Sequence, residues 1–533
     1  MTSSVASALK ERTESAQETQ EETTVMTARR PGRRAVMVSA VLTQLMIVLD
    51  LTIIAIALPR MQDDLGMTVS QSPWTVTGYS LAFGGLVLFG GRLCAVVGIR
   101  RSYQVGLIGF GVASLAAGMA TSFPILLVAR VAQGCFGALL APTSQSLLNV
   151  TFTERTERER VFAIFGATGG LGAAVGLLVG GALTDWISWR WALYINILLA
   201  TAALLIGQRS LPPADQRDRG SRITDDLTGL VLGCGACFSA VYGLDRAQQT
   251  SWTSTSTVSW LALGGIAAVL FVVRERFANR PVLPLSMMAL PVRAASYATQ
   301  FIAGAGQMGA IIYLTYYMQN HFGYSPFKSG VVFLPMVLSL IATAIPAGRV
   351  IVPRLGARGT LPLGLAVLTG SFLIFSRMTT QSSYSQVALP GLIVFGIGLG
   401  LTMPVTFNSG TRGVDAKRTG LASAILSAAQ QIGGSFGVAL MTSYATQHAE
   451  DYVTEHSEEV RAAAMEAMMR AQALPQSPAG KQIIEALKAQ LVDRAQIEAY
   501  AGGFTMMAWI LAGAGAALVA CGIAVNVRRR RTR

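Results

Sequence analysis

The chain has 533 residues, of which 52% are hydrophobic and only 13% are charged, and its mean hydropathy is +0.49. Soluble domains carry about 25% charged residues, so the composition excludes an ordinary water-soluble protein and predicts an all-α polytopic membrane protein. The net charge of +14 is explained by basic loops on the cytoplasmic side and requires no nucleic-acid partner.

Residues 1–34 form a polar tail that ends in a basic cluster and lacks the apolar segment of a cleaved secretory signal. We expect this tail to be disordered and cytoplasmic. Fourteen apolar runs follow it, and each is long enough to cross a bilayer as a helix. They lie at 35–58, 74–91, 103–121, 124–149, 161–184, 191–208, 227–245, 257–274, 294–318, 329–348, 360–376, 386–407, 419–444 and 503–526. Residues 527–533 are a second basic tail.

Basic residues are distributed unequally between the loops. With the N-terminus inside, the short inner loops carry 20 arginines and lysines, and the short outer loops carry 5. Because basic loops are retained in the cytoplasm, this asymmetry predicts a multi-pass protein of the plasma membrane with both termini cytoplasmic. Arginine outnumbers lysine by 37 to 5, which is typical of a GC-rich bacterial source.

The predicted spans group as six, two and six. Residues 35–208 form a first six-helix bundle, 209–293 hold a linker and two central spans, and 294–526 form a second six-helix bundle. The bundles resemble each other weakly, since GRLCAVVGIRR follows the second span and GRVIVPRLGAR follows the second span of the last six. Two pseudo-symmetric bundles around a site at the midplane are typical of transporters.

One outer loop, residues 446–502, is unusually long and polar. Its sequence favours helix, and Pro475 and Pro478 interrupt it. We expect either a solvated helical hairpin or a lid over the outer mouth.

Asp50 is the acidic residue that needs an explanation. It lies about eight residues from the outer end of the first span, or ~12 Å deep at 1.5 Å per residue. A carboxylate there costs several kcal/mol unless it is paired or neutralised, and no other Asp or Glu lies deep in a predicted span. It is either a packing ion pair or a proton-binding site. We expect Arg130, at nearly the same depth in the fourth span, to be its partner.

Other polar and aromatic side chains in the spans are candidates for lining a cavity that suits a bulky, partly apolar solute. They are Trp74, Tyr79, Gln133, Asn196, Gln307, Tyr313, Tyr317 and Gln430. In the fifth span, Gly172, Gly176 and Gly180 recur every four residues and present a smooth face for close helix contact.

The sequence contains no phosphate-binding loop of the form G-x-x-x-x-G-K-[ST]. It also shows no His or Cys cluster with metal-ligand spacing and no Ser/His/Asp arrangement in the spans. We therefore expect no enzyme activity, no cofactor and no metal. Energy for transport would come from an ion gradient or from the solute itself.

Six stretches together resemble the major facilitator superfamily, and within it the fourteen-span drug:proton antiporters, over residues 35–526. LDLTIIAIALP (Leu49 to Pro59) resembles the first-span motif of that branch, with Ala55 where asparagine is usual. LLVARVAQGCFGA resembles the fourth-span motif. GAAVGLLVGG resembles the antiporter motif of the fifth span, with Leu177 where proline is usual. WTVTGYSLAFGGLVLFGGRL, WRWALYIN and AAQQIGGSFGVAL are similar to the second, sixth and thirteenth spans.

The loop after the second span departs from the family pattern. Ala95 stands where the family usually has an aspartate. In the family, that aspartate is thought to lock the inner gate through charge contacts. The resemblance therefore does not transfer that lock to this chain, and we expect the arginines of this loop to act as positive-inside anchors. The residues placed in conformational motifs are Gly91, Gly98, Arg100, Gly134, Gly137, Gly172, Gly176, Gly180 and Gly181.

The resemblance implies export of hydrophobic drugs or antibiotics, coupled to proton influx through Asp50 by alternating access. The expected partners are the lipid bilayer, a small hydrophobic substrate and protons. Because Gln430 and Gln431 stand where exporters of dications often carry an acid, we expect neutral, anionic or monocationic substrates. A proton-coupled uptake permease for a small metabolite is the alternative. A membrane enzyme or a channel is disfavoured, since neither clustered catalytic groups nor a charged ring is visible.

Overall fold

The computed structural model describes residues 30–68, 71, 74–211, 226–278, 281, 287–288, 290–414, 419–470 and 478–531. Within these ranges the chain is built from helices joined by short turns, and it contains no β-strand. The all-α membrane architecture predicted from the composition is therefore confirmed. The tail at 1–29, most of the linker at 212–225 and Pro475 lie outside the described residues.

The helices are numbered here in chain order. They are α1 (Arg30–Leu65), α2 (Trp74–Val97), α3 (Ile99–Gly118), α4 (Phe123–Thr151), α5 (Arg155–Trp186), α6 (Trp189–Gly207), α7 (Leu227–Gln249), α8 (Thr255–Phe277), α9 (Pro291–Tyr316), α10 (Pro326–Val332), α11 (Leu334–Pro346), α12 (Val352–Phe375), α13 (Leu389–Gly410), α14 (Thr419–Glu455), α15 (Ser457–Arg470) and α16 (Pro478–Arg531). Short π-helical turns at Tyr317–His321, Ala347–Ile351 and Tyr384–Ala388 extend or join them.

Ten helical segments among the described residues are long and apolar enough to cross a membrane. One of them, Phe327–Phe375, covers two of the predicted spans. The three remaining predicted spans lie in α3, α5 and α9. In α3 and α9, glycine and polar residues lower the hydropathy. Each predicted span thus lies within or across described helices, while the domain boundaries stay predictions.

Two loops differ from the sequence-based boundaries. The loop after the second span is a single residue, Gly98, whose φ of 98° lets the chain reverse between α2 and α3 where other residues would be strained. The described parts of the long polar loop 446–502 are helical, because α14 continues to Glu455, α15 follows, and α16 begins with Pro478 in its first turn. A proline is tolerated there because the first turn has no intrahelical partner for its nitrogen.

The side of the protein at which α1 begins is called the near side, and the side at which α1 ends is called the far side. Helix α1 packs against α4, α5 and α6, and α2 packs against α4. The central helices α7 and α8 pack against each other, and α7 also contacts both α2 and α14. Helices α5 and α2 contact α13 and α14, respectively, so the first six and the last six helices meet along these pairs.

Candidate functional site

An ion pair between Asp50 and Arg130 lies in the interior of the first six helices. Asp50 in α1 is 1% exposed and Arg130 in α4 is fully buried. The Arg130 Nη1 donates to Asp50 Oδ2 over 2.5 Å. The predicted partnership is therefore present in the structure. A buried carboxylate without such a partner would pay a large desolvation penalty, so the guanidinium is what allows a charged Asp50 to exist there.

Two amide side chains complete the binding of the carboxylate. Asn196 Nδ2 in α6 donates to Asp50 Oδ1 over 2.6 Å, and Gln133 Nε2 in α4 donates to the same oxygen over 3.2 Å. Gln133 also accepts from Arg130 Nη1 at 2.8 Å and donates to Ser114 Oγ of α3 at 2.7 Å. Helices α1, α3, α4 and α6 thus converge on one carboxylate, which holds three donors in a low-dielectric interior.

Arg130 is held in place by α2. Its Nε donates to the carbonyl oxygen of Thr75 over 3.0 Å, and its guanidinium carbon lies 4.6 Å from the centre of the Tyr79 ring. Three buried polar atoms around the pair have no hydrogen-bond partner in the structure: Arg130 Nη2, Asn196 Oδ1 and Tyr79 Oη. Unsatisfied buried groups are rare in proteins, and these three give the site spare donor and acceptor capacity.

Glycines of α4 set the close approach of α2. Arg130, Gln133, Gly134 and Gly137 share one helix face at spacings of three, four and seven residues. A Cβ at Gly134 would overlap the Tyr79 carbonyl, and a Cβ at Gly137 would press on Phe83. The absence of side chains at these two positions therefore brings α2, with its Arg130 contacts, onto α4.

The glycine face of α5 packs against the turn of α1 that carries Asp50. A Cβ at Gly172 would meet Val48, one at Gly176 would overlap Thr52, and one at Gly180 would press on Ile53. The close helix contact expected from this four-residue repeat is thus observed, with α1 as the neighbour. Gly181, next to this face, is buried.

The remaining cavity candidates lie away from these hydrogen bonds. Trp74 packs against Tyr242 of α7 with ring centres 6.4 Å apart. Tyr313 donates to Thr442 Oγ1 at 2.9 Å, and Tyr317 donates to the Thr379 carbonyl at 3.3 Å. Two further candidates occupy the last six helices, with a buried side chain and a half-buried one respectively: Gln307 and Gln430. Their place in a substrate cavity stays a prediction.

The near side is closed by hydrogen bonds between the first six and the last six helices. Arg158 Nε in α5 donates to Asn408 Oδ1 in α13 at 2.9 Å. Thr411 Oγ1 donates to Asn149 Oδ1 at 3.2 Å, and Gln145 Nε2 donates to Ser427 Oγ at 3.2 Å. These pairs could not be predicted from the sequence, because polar residues at span ends are common.

Two further motif residues, Gly91 of α2 and Arg100 of α3, make contacts on the near side. Gly91 packs directly on Gly420 and Ala424 of α14, where a Cβ would find no room. Arg100, in the first turn of α3, donates to the Gln208 carbonyl at 3.3 Å and therefore binds the end of α6. At this end of the molecule the two halves are thus joined by close helix packing and by hydrogen bonds between side chains.

On the far side, Asp64 joins three helix ends. Its Oδ2 accepts from Trp189 Nε1 at 3.0 Å and from Arg190 Nη1 at 2.5 Å, and Arg190 also donates to the Ala120 carbonyl at 3.2 Å. The Arg190 hydrogen bond and then the Trp189 hydrogen bond hold the pKa of Asp64 below its usual value. This cluster fixes the end of α1 against α3 and α6.

Sequence reasoning missed several contributors to these sites. Ser114 could have been noticed as a polar residue in an apolar helix, whereas the Thr75 carbonyl is a backbone group with no sequence signal. Helices α7 and α8 extend beyond the predicted spans, to Gln249 and Phe277, so Asp245 and Glu275 also lie in spanning helices. Both acids lie near a helix end, four and two residues from it respectively, so they do not contradict the expectation that no acid other than Asp50 lies deep in a span.

Comparisons with known proteins point to one family. Residues 40–438 match the family model described as Major Facilitator Superfamily. The chain is 39% identical to the puromycin resistance protein pur8 of Streptomyces alboniger, over 78% of this chain and 82% of that protein. It is 33% identical to the cephamycin export protein CmcT of Amycolatopsis lactamdurans, over 76% and 83%, and 29% identical to the multidrug transporter MdtP of Bacillus subtilis, over 74% and 72%.

Solved structures share the fold. The human organic anion transporter MFSD10 aligns with a TM-score of 0.56 at 13% identity, covering 91% of this chain and 99% of that chain. A bacterial homologue of the human lysosomal transporter Spinster, inward-facing and unoccupied, aligns with a TM-score of 0.53 at 15% identity, covering 92% and 98%. At these identities the likeness concerns the fold alone.

Proposed function

Because the chain belongs to the Major Facilitator Superfamily, we propose that it exports hydrophobic, antibiotic-like small molecules across the plasma membrane in exchange for protons. The observation that carries the proposal is the buried carboxylate of Asp50, held by Arg130 inside a membrane helix bundle. The relatives named for antibiotic resistance or export support the direction of transport and the class of substrate.

In this proposal Asp50 is the proton carrier and Arg130 is its charged partner. When the carboxylate is ionised, the ion pair and two amide donors hold it. Protonation removes the negative charge, so it weakens the bond to Arg130 and frees the guanidinium inside the bundle. The unpartnered Asn196 Oδ1, on the residue that already contacts Asp50, supplies an acceptor beside the protonated acid.

The change of partners at Asp50 is transmitted through the helices that touch α1. The glycine face of α5 lies directly on the turn around Asp50, and the beginning of α5 carries the Arg158–Asn408 bond that closes the near side. We propose that the near-side hydrogen bonds separate when the site opens inward and re-form when it opens outward. Gly172, Gly176 and Gly180 allow the two helices to slide without side-chain interlock.

The proposal also specifies the orientation of the chain in the membrane and the charge of its substrates. The near side is proposed to be cytoplasmic, with both termini inside, because the inner loops carry the basic residues. The protein acts as a transporter without a catalytic group, cofactor or metal of its own. Its substrates are proposed to be neutral, anionic or singly cationic, because Gln430 and Gln431 stand in α14 where dication exporters often carry an acid.

The test is transport into inverted membrane vesicles that contain the protein. Puromycin is the first compound to try, since the relative at 39% identity is a puromycin resistance protein. A proton gradient, acid inside the vesicle, should drive accumulation in the wild type, and adding puromycin should speed the collapse of the gradient. Asp50→Asn should abolish both effects. Asp63→Asn makes the same change on the exposed end of α1 and should behave as the wild type.

Accumulation that survives in Asp50→Asn at the wild-type rate would refute the assignment of the proton carrier. If puromycin is not transported by the wild type, a panel of the compounds named for the other relatives, tetracenomycin C and lincomycin among them, extends the test. Gradient-driven uptake of a metabolite in right-side-out vesicles, without export of any of these compounds, would favour a permease instead.

A further inference from the structure

A second carboxylate of the spanning helices lies outside the Asp50 network. Asp245 is half-buried, one turn before the end of α7 on the far side. Its Oδ1 accepts from Thr77 Oγ1 of α2 at 3.0 Å, and its Oδ2 accepts from Gln249 Nε2 at 2.8 Å. Both donors are neutral, and no ion pair joins Asp245 to a cation of the described chain. The neighbouring Arg246 attracts the carboxylate through space without forming an ion pair with it, so a ligand cation can compete for this charge.

Four aromatic rings lie along α7 between its midpoint and the turn that carries Asp245, and we call them the far-side aromatic cluster. Tyr242, one turn before Asp245, is at the centre, with its ring centre 4.8 Å from that of Trp260 in α8 at an interplanar angle of 82°. Phe238 stacks on Tyr242 at 6.1 Å, and Trp74 of α2 lies 6.4 Å from it. Electron-rich ring faces next to a carboxylate are the environment in which proteins bind organic ammonium groups.

The cluster already holds one cation. The guanidinium carbon of Arg246 lies 5.5 Å from the centre of the Tyr242 ring, within the range of a cation–π contact. The Arg246 Nε is buried and has no hydrogen-bond partner. The Arg246 guanidinium contacts the Tyr242 ring, but its Nε has no acceptor. A ligand cation can therefore replace the guanidinium on Tyr242.

The site opens toward the far-side interface of the membrane. Near the far end of α7, Gln249 is exposed, and Asp245, Tyr242 and Trp260 are each partly accessible. A ligand can therefore reach the carboxylate and the rings without passing the buried Asp50–Arg130 pair. The side chain of Thr77 and the carbonyl of Thr75 place the two sites on different faces of the first turns of α2.

We propose that Asp245 and the far-side aromatic cluster form a binding site for a singly charged aryl or alkyl ammonium compound, separate from the proton site. The carboxylate attracts the ammonium charge, Tyr242 and Trp260 offer their ring faces, and Arg246 is the internal competitor that leaves when the ligand binds. Such a site concentrates monocations at the outer opening. It requires no proton coupling at Asp50.

The test is equilibrium binding of benzyltrimethylammonium to the purified full-length protein, measured by titration calorimetry. Asp245→Asn should weaken binding about tenfold, because one charge contact is lost. Tyr242→Leu should weaken it by a similar factor. Arg246→Gln should strengthen it severalfold, since the internal competitor is removed, and a misfolded variant cannot produce this gain. Asp451→Asn changes the same charge on an exposed far-side position and serves as the matched control.

Wild-type affinity in Asp245→Asn, or an equal loss in Asp451→Asn, would overturn the proposal, since the effect would then be absent or due to surface charge alone. A loss of affinity in Arg246→Gln would also overturn it. The same titration in Asp50→Asn should give the wild-type affinity. Binding in that variant together with failed gradient-driven transport separates this site from the proton-coupling proposal.

Discussion

Gly134 offers a direct test of how the Asp50 site is assembled. Its Cα faces the backbone of α2 so closely that a Cβ would overlap the Tyr79 carbonyl, which is backbone and cannot rotate away. Gly134→Ala must therefore push α2 outward or shift α4. The same movement pulls the Thr75 carbonyl from Arg130 Nε, a hydrogen bond of 3.0 Å to a charged group.

The expected loss of stability in Gly134→Ala follows from the overpacking and from the lost hydrogen bond. Overpacking of a tight contact costs about 1–3 kcal/mol, and loss of a hydrogen bond to a charged group costs about 1.5–3 kcal/mol. Together they predict a destabilisation of roughly 2–6 kcal/mol, although the two terms overlap because one movement relieves both. We expect a clear fall in the midpoint of thermal unfolding and a strong loss of transport from a protein that still reaches the membrane.

The assay is thermal unfolding of purified protein together with vesicle transport, for Gly134→Ala and for Gly169→Ala. Gly169, in α5, has nothing within 4 Å of the position where a Cβ would stand. Alanine there should be neutral or slightly stabilising, because it lowers the entropy of the unfolded chain. Equal stability and equal transport in the two variants would refute the claim that the approach of α2 to α4 positions Arg130.

Three further predictions use other parts of the molecule. Arg130→Gln should destabilise the protein by about 3–5 kcal/mol above neutral pH, because a buried carboxylate loses its charged partner. The double variant Arg130→Gln with Asp50→Asn should regain part of that stability in thermal unfolding, because no unpaired charge remains buried. The pKa of Asp64 is lower in the folded protein than its unfolded value near 3.8. Its ion pair therefore stabilises the protein above pH 3.8, and this stabilisation is lost as the pH falls through the folded-state pKa. Asp64→Asn should flatten the pH dependence of unfolding in that acidic range. A dicationic antiseptic should not be accumulated by vesicles that accumulate a monocation, and its robust transport would contradict the substrate class.

The helices were predictable from the sequence because apolar runs of membrane length have few alternatives in a bilayer. The Asp50–Arg130 pair was predictable for a related reason, since opposite charges at the same depth in a membrane are costly unless they form an ion pair. The face shared by Gly172, Gly176 and Gly180 predicted a close contact but not its neighbour. That neighbour is α1, which only the three-dimensional arrangement of the helices shows.

Other features were beyond sequence reasoning. Helix ends shift with capping and packing, so Asp245 fell at the predicted boundary of a span although α7 continues to Gln249. The near-side pair Arg158–Asn408 joins residues 250 positions apart, and each alone reads as an ordinary polar residue at a span end. The Thr75 carbonyl that holds Arg130 is a backbone group, which residue type cannot reveal.

The central claim is that one buried carboxylate, that of Asp50, carries the proton that is exchanged for substrate. Purified protein in weakly buffered solution, with a pH indicator present, measures this directly when a transported compound is added. The account predicts that substrate binding to the wild type releases protons, and that Asp50→Asn releases none while still binding. Equal proton release from Asp50→Asn would contradict it, because the proton would then come from another group.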